Sequence, residues 1–224
     1  MIEVFGIPFQ IYDEQQLYES CQEKLEEHIL YSVFFVTAGQ CGFLMDTPEE
    51  FRKKERVLWV PVGAAVSALF SKKEKHTIAD FRIWKFLKLL ATHSADVGAE
   101  LCILVNTKPQ ADIVMQEFRK EFPYLILHAI TYDAFASEEA VVNEINSIAP
   151  DILFLGLHTD AMKHFLERNR HRTNAGLCVF AGELLISEMT KKKKMFHTIT
   201  KSRRLKKTLR KYNKKEQIRR VSKI

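Results

Sequence analysis

Four short polar stretches carry side chains able to do chemistry: Thr37-Ala-Gly-Gln40, Pro61-Val-Gly-Ala64, Asn106-Thr-Lys-Pro109 and His158-Thr-Asp160. His158 could act as an acid, a base or a donor to phosphate, because imidazole is the side chain that exchanges a proton most readily near neutral pH. Lys108 could hold a phosphate as a point charge, with Asn106 and Thr107 as polar neighbours in its loop. Each has a plainer structural alternative. Loop histidines and exposed lysines are commonly only solvated, Thr37 could cap a following helix, and Gly63 could simply accommodate a turn. None of the stretches is a Walker loop or a Gly-x-Gly-x-x-Gly fingerprint, so spacing alone demands neither ATP nor a dinucleotide.

All four stretches follow short apolar runs. The runs Ser32–Thr37, Val57–Val62, Leu101–Val105, Leu125–Ile130, Ile152–Leu157 and Leu177–Ala181 predict strands, and their continuous apolar character predicts cover on both faces. Helical spacing intervenes: Leu17, Cys21 and Leu25 after an N-cap at Asp13; Phe81, Trp84, Leu87 and Ala91 after Ala79; Ile113 to Phe118 after Pro109; and Val141, Ile145 and Ile148 after Ser137. Trp59, Trp84 and Phe86 are expected in the core. This alternation predicts an α/β fold, a Rossmann-like parallel sheet flanked by helices. Ligands of such sheets bind beyond the carboxyl ends of the strands, which is where the four stretches fall.

The 224 residues include 34 basic and 28 acidic side chains, but 16 of the basic ones and a single acid, Glu216, lie from Lys191 to Ile224. That segment carries +15 and the remainder −9. We therefore expect an α/β domain over 1–189 and a basic amphipathic tail over 190–224. In the tail Met195, Ile199, Ser202, Leu205, Leu209 and Tyr212 recur every three or four residues, an apolar stripe on a basic helix. Such a helix suits an anionic membrane surface, with Lys201, Arg203, Arg204, Lys206, Lys207, Arg210 and Lys211 facing the headgroups. Phosphate neutralisation on nucleic acid is a lesser alternative, since aromatic interleaving is nearly absent. Folding against the acidic body or against another subunit, in a homo-oligomer, is a third. Cys21, Cys41, Cys102 and Cys178 are far apart with no Cys-x-x-Cys pair and read as reduced core thiols. No signal peptide or membrane span is expected, and a cytosolic location follows.

The order of segments adds a resemblance. Gly6-Ile-Pro-Phe precedes an amphipathic helix, a strand ends in Thr37, and Pro61-x-Gly63 and Asp80, opening a helix, follow. Asn106-Thr-Lys-Pro109, Phe122-Pro-Tyr, Phe135 with Ser137-Glu-Glu, and Ile145-x-x-x-x-Pro150-Asp-Ile-Leu-Phe-Leu-Gly-Leu157 continue the series, with Asn169 downstream. Over roughly Val4 to Leu185 the chain resembles the WecG/TagA/CpsF glycosyltransferases. The resemblance implies transfer of an N-acetylhexosamine, or a hexose, from a UDP-sugar to a polyprenyl-diphosphate-linked acceptor, in synthesis of cell-surface polysaccharide or teichoic acid. It implies a basic C-terminal appendage at the inner face of the cell membrane, and a protein that is cytoplasmic and peripherally membrane-associated. It implies no cofactor beyond the UDP-sugar donor. The family works without an Asp-x-Asp metal motif; none occurs here, so no metal ion is expected.

By the same resemblance Thr37, Gly39, Gly63, Asn106, Thr107, Lys108 and Asn169 are expected at the substrate. Several family positions are changed. The family's Pro-Asp-Gly, whose Asp is assigned as the general base, reads Pro61-Val62-Gly63, and a valine takes no proton. The Gly-x-Pro-x-Gln-Glu segment reads His158-Thr-Asp160-Ala-Met162-Lys163, the strand end Val-Gly-Gly-x-Phe-Asp reads Phe180-Ala-Gly182-Glu-Leu-Leu185, and Gly39 stands for an Asn. Asp80, Asp160 and His158 are the candidates to replace the base, which is worth about 10²–10⁴-fold in rate. Asp80 also reads as an ordinary helix-terminus residue, and Asn169 as part of a charged helix end. The resemblance thus leaves a diverged transferase beside a non-catalytic relative acting through binding.

Overall fold

The computed structural model describes residues 2–4, 6–27, 30–38, 40, 56–74, 80–134, 137–169 and 172–189. The tail expected to bind membrane lies outside them, as do Gly39, Cys41 and Phe135. The described residues divide into two compact units, one formed by residues up to Ile11 with Phe35–Phe81, the other by Tyr12–Phe34 and the residues from Arg82 to Met189.

In the first unit, β1 (Ile2–Val4) and β2 (Ile7–Phe9) form an antiparallel hairpin with Ile2 opposite Phe9. Phe9 lies opposite Trp59 of β4 (Val57–Pro61) in parallel register, and the Gln10 N–H donates to the Trp59 carbonyl at 2.9 Å. Helix α2 (Ala64–Glu74) follows β4. Its Phe70 sets its ring 5.2 Å from that of Phe9, and Phe35 meets Phe81 at 5.1 Å, so aromatic side chains supply much of this small core.

The second unit holds α1 (Glu14–Glu26), the start of β3 (Tyr31–Val36), α3 (Ile83–Val97), β5 (Leu101–Val105), α4 (Lys108–Glu121), β6 (Leu127–Thr131), a 3₁₀ turn at Tyr132–Ala134, α5 (Glu138–Ile148), β7 (Ile152–Gly156), α6 (Thr159–Asn169), β8 (Leu177–Phe180) and α7 (Leu184–Met189). Its strands run in the order β3-β8-β7-β5-β6, every neighbouring pair parallel. The central strands Leu-Cys-Ile-Leu-Val, Ile-Leu-Phe-Leu-Gly and Leu-Cys-Val-Phe are buried at every residue, as strands covered by helices on both faces must be. Phe34 and Phe180 stack in register on β3 and β8 with centroids 4.1 Å apart. The expected α/β architecture, a Rossmann-like sheet flanked by helices, is present; pairing is purely parallel in the second unit, whereas the first adds the antiparallel β1–β2 hairpin, which was outside the expectation.

Local signals explain most element starts. Asp13 caps α1 reciprocally with Gln16: the Gln16 N–H donates to Asp13 Oδ1 at 2.8 Å, and the Asp13 N–H to Gln16 Oε1 at 3.1 Å. Ser137 caps α5 through the Ala140 N–H. Three features differ from expectation. Strands of three residues are too short to show a period, so the sequence does not announce β1 and β2. The strand expected at Leu125 begins at Leu127, because the Leu125 N–H closes a turn onto the Phe122 carbonyl. Asp80 does not open α3: Arg82 is the N-cap, and its N–H donates at 2.8 Å to Glu14, which is 68 residues away in sequence.

Glu14 is buried and also receives the Lys85 ammonium at 3.1 Å. Burial works to raise its pKa, but the Arg82 N–H and Lys85 outweigh it and hold the carboxyl below its ordinary value. A carboxylate depressed in the folded state contributes stability that is fully present above the unfolded pKa and lost as pH falls through the folded one. In urea titrations over a pH series, the stability gap between wild type and Glu14→Gln is therefore expected to narrow on acidification. A gap constant from neutral to acidic pH refutes the assignment.

Cys21, Cys102 and Cys178 are buried and unbridged, and burial pushes the thiols of Cys21 and Cys102 up to about 12, so they are inert core residues as expected. Among the described residues no helix is long and apolar enough to cross a membrane.

Candidate active site

In the second unit the carboxyl ends of β5, β7 and β8 bring three segments together. β5 ends in Asn106, which is 2% exposed. Its side-chain Oδ1 accepts the His158 backbone N–H at 3.2 Å, and its Nδ2 donates to the Gly156 carbonyl at 3.4 Å. The amide thus ties the turn after β7 to the end of β5. Gln110 in the first turn of α4 reaches back with Oε1 to accept the N–H groups of Asn106 at 3.0 Å and Thr107 at 3.2 Å.

Gly156 closes β7, and its lack of a Cβ has a packing reason. A Cβ there would stand 3.0 Å from Leu185 Cδ2 and 3.3 Å from Val105 Cγ1. The glycine therefore lets Leu185 of α7 settle onto the end of β7, while the Ala181 and Gly182 N–H groups both donate to the Leu155 carbonyl. These contacts fix the segment that carries Glu183. His158, two residues past Gly156, meets Glu183 Oε1 through Nδ1 in a hydrogen bond. Both side chains are open to solvent, 56% and 66% exposed, and among the described residues His158 Nε2 has no partner. The arrangement is an imidazole held by a carboxylate at one nitrogen on a solvent-exposed side chain, a geometry suited to proton transfer.

In the first unit the Pro61-Val62-Gly63 turn leads into α2. Gly63 has φ +89 with open space around a would-be Cβ, so backbone conformation rather than crowding selects glycine. Its N–H donates to Asp80 Oδ1 at 2.8 Å, and the Ser67 hydroxyl approaches the same oxygen at 3.5 Å. Asp80 is thereby a carboxylate at the N-terminus of α2, one residue beyond Val62, where the helix dipole favours negative charge. Val62 itself is 1% exposed, an apolar core residue. Thr37 turns back on Gln40: its N–H and hydroxyl both reach Gln40 Oε1, at 2.9 and 3.1 Å.

Other expected site residues have local partners. Lys108 pairs with Asp112 one turn along α4 at 2.9 Å, both exposed. Asp160 lies exposed in the first turn of α6. Asn169, 1% exposed, donates to Glu138 Oε2 at 3.1 Å, and its own Oδ1 receives the Arg172 guanidinium at 3.4 Å. Glu138 also accepts the Tyr132 hydroxyl at 3.0 Å; burial first, then that carboxylate, push the phenol up to about 12. Asn169 thus joins α6 to α5. Glu183 is the residue that sequence reasoning missed. The rule that nominates the other loops applies equally to Ala181-Gly-Glu183 after the Leu177 run, a segment that the family resemblance marks only as an altered strand end.

A parallel α/β sheet with polar loops at its carboxyl ends defines a class of ligand-binding and transferase folds rather than one reaction. The model of the WecG/TagA/CpsF glycosyl transferase family matches residues 2–211, and the chain belongs to that family. No curated protein matches the chain.

Proposed function

We propose that this protein transfers an N-acetylhexosamine from a UDP-sugar to a polyprenyl-diphosphate-linked acceptor at the inner face of the cell membrane, in synthesis of a surface polysaccharide or teichoic acid. The observation that carries the reading is the family match, which extends over nearly the whole chain. The +15 tail supports it, because a lipid-linked hydroxyl lies near the membrane surface and basic side chains adsorb to anionic headgroups. The lack of an Asp-x-Asp pair accords with a reaction that uses no resident metal. Within the second unit, Thr107 and Lys108 at the start of α4 are the residues proposed to lie near the donor diphosphate.

One feature favours a second reading, a relative that binds donor without turning it over: by the sequence resemblance Val62 stands where the family has its base, and Val62 is a buried apolar side chain. Calorimetric titration with UDP, UDP-GlcNAc and UDP-ManNAc, followed by UDP release in the presence of a detergent-solubilised polyprenyl-diphosphate sugar, separates the two. Micromolar binding with acceptor-dependent release is expected. Binding without release selects the second reading, and no heat at millimolar ligand defeats both as statements about UDP-sugars.

A further inference from the structure

We infer that His158 is the proton acceptor of this protein's transfer reaction and that Glu183 is its positioning residue. The inference rests on the transferase reading above and adds to it the group that Val62 cannot supply. Four features of the second unit carry it. The His158 backbone is held by the buried Asn106 amide. The ring is held by Glu183 through Nδ1, which assigns the neutral imidazole its proton there and leaves the Nε2 lone pair as the basic site. Glu183 is itself fixed by Leu185 in the space above Gly156 and by the Gly182 N–H on Leu155. Finally, the pair stands past the carboxyl ends of adjacent parallel strands β7 and β8, the edge at which sheets of this kind bind their ligands.

A decorative surface ion pair needs none of this support, and two flexible side chains in solvent usually gain little from meeting. An oriented imidazole with a free nitrogen is the arrangement that activates hydroxyl nucleophiles across unrelated folds. In the transfer, the acceptor hydroxyl oxygen forms the new bond to the sugar's anomeric carbon. The bond from that carbon to the diphosphate oxygen breaks, and its electron pair leaves with UDP. The hydroxyl proton passes to His158 Nε2, the Glu183 carboxylate stabilises the imidazolium, and the proton is then lost to water.

The test uses the full chain, with UDP-GlcNAc or UDP-ManNAc as donor and a polyprenyl-diphosphate sugar as acceptor. His158→Gln is expected to lower kcat by about 10²–10⁴-fold while leaving donor affinity by calorimetry unchanged. In long-range ¹⁵N spectra of histidine-labelled protein, His158 is expected as the Nδ1–H tautomer, lost in Glu183→Ala. Glu183→Gln, which keeps an acceptor but not the charge, is expected to restore the tautomer and only part of the rate. Full turnover by His158→Gln, or an Nε2–H tautomer in the wild type, overturns the assignment while the transferase reading stands. A wild type that binds donor but releases no UDP also overturns it, and one that binds no UDP-sugar removes the transferase reading with it.

Discussion

Phe154→Ala is expected to cost about 3–5 kcal/mol, the usual loss when a fully buried aromatic side chain is truncated. Phe154 is 0% exposed in the middle of β7, paired with Ile103 on β5 and Val179 on β8. Its neighbours are backbone-paired on both sides, so the sheet cannot collapse into the space left, and the cavity term adds to the lost burial. Domains have roughly 5–15 kcal/mol in total, which makes this single change a large share of the whole. Urea denaturation followed by circular dichroism should show the midpoint falling by roughly 1–2 M for an m-value near 3 kcal/mol/M. Phe154→Leu, which refills most of the space, should recover most of the loss. An alanine variant within 1 kcal/mol of wild type would mean that β7 is not the central strand described above.

Asn106→Leu is expected to cost about 2–3 kcal/mol and to loosen the His158 turn specifically. The leucine matches the side chain in size, so packing changes little. What is lost is polar satisfaction: the part-buried His158 N–H is left without its acceptor, and the buried Gly156 carbonyl loses the Asn106 donor. A buried group stripped of its partner costs about 1–3 kcal/mol. The 3.4 Å bond to Gly156 is the weaker of the two, so most of the effect is assigned to His158. Hydrogen exchange reads this directly: the His158 amide should lose protection in Asn106→Leu, while amides at the centre of β5 lose only what the global destabilisation predicts. Equal loss of protection at His158 and throughout β5 would show a general weakening instead. With His158 as the proton acceptor, the same variant also lowers kcat without changing the ring's chemistry.

The residues that made the family resemblance specific serve the scaffold as much as the site. Asp151 of the Pro150-Asp-Ile-Leu segment stands at the amino end of β7, where its Oδ2 accepts the Glu100 N–H at 2.7 Å and its carbonyl accepts the Leu177 N–H. Beside it, a Cβ on Gly176 would lie 3.0 Å from the Asp151 carbonyl oxygen. These contacts align β5, β7 and β8 at the end of the sheet away from His158. A motif that is rare in composition and set in a buried strand is easy to recognise, yet it reports on how strands are laid side by side.

Elements with a local cause are legible in the amino-acid sequence. Buried strands announced themselves as apolar runs because both faces are covered, Asp13 and Ser137 marked helix starts because a cap bonds within three residues, and the lone cysteines read as core because no close partner could form a site. The loops after the strands were legible for the same reason, which is how His158 and Asn106 came to be singled out. Pairings between residues far apart in the chain emerge only from the folded unit. Asp80 bonds Gly63 across 17 positions, Glu14 serves Arg82 across 68, and Glu183 orients His158 across 25. No periodicity links such pairs, because the energy that joins them comes from how strands order in the sheet, and strand order is set by packing of the whole unit rather than by neighbours in sequence.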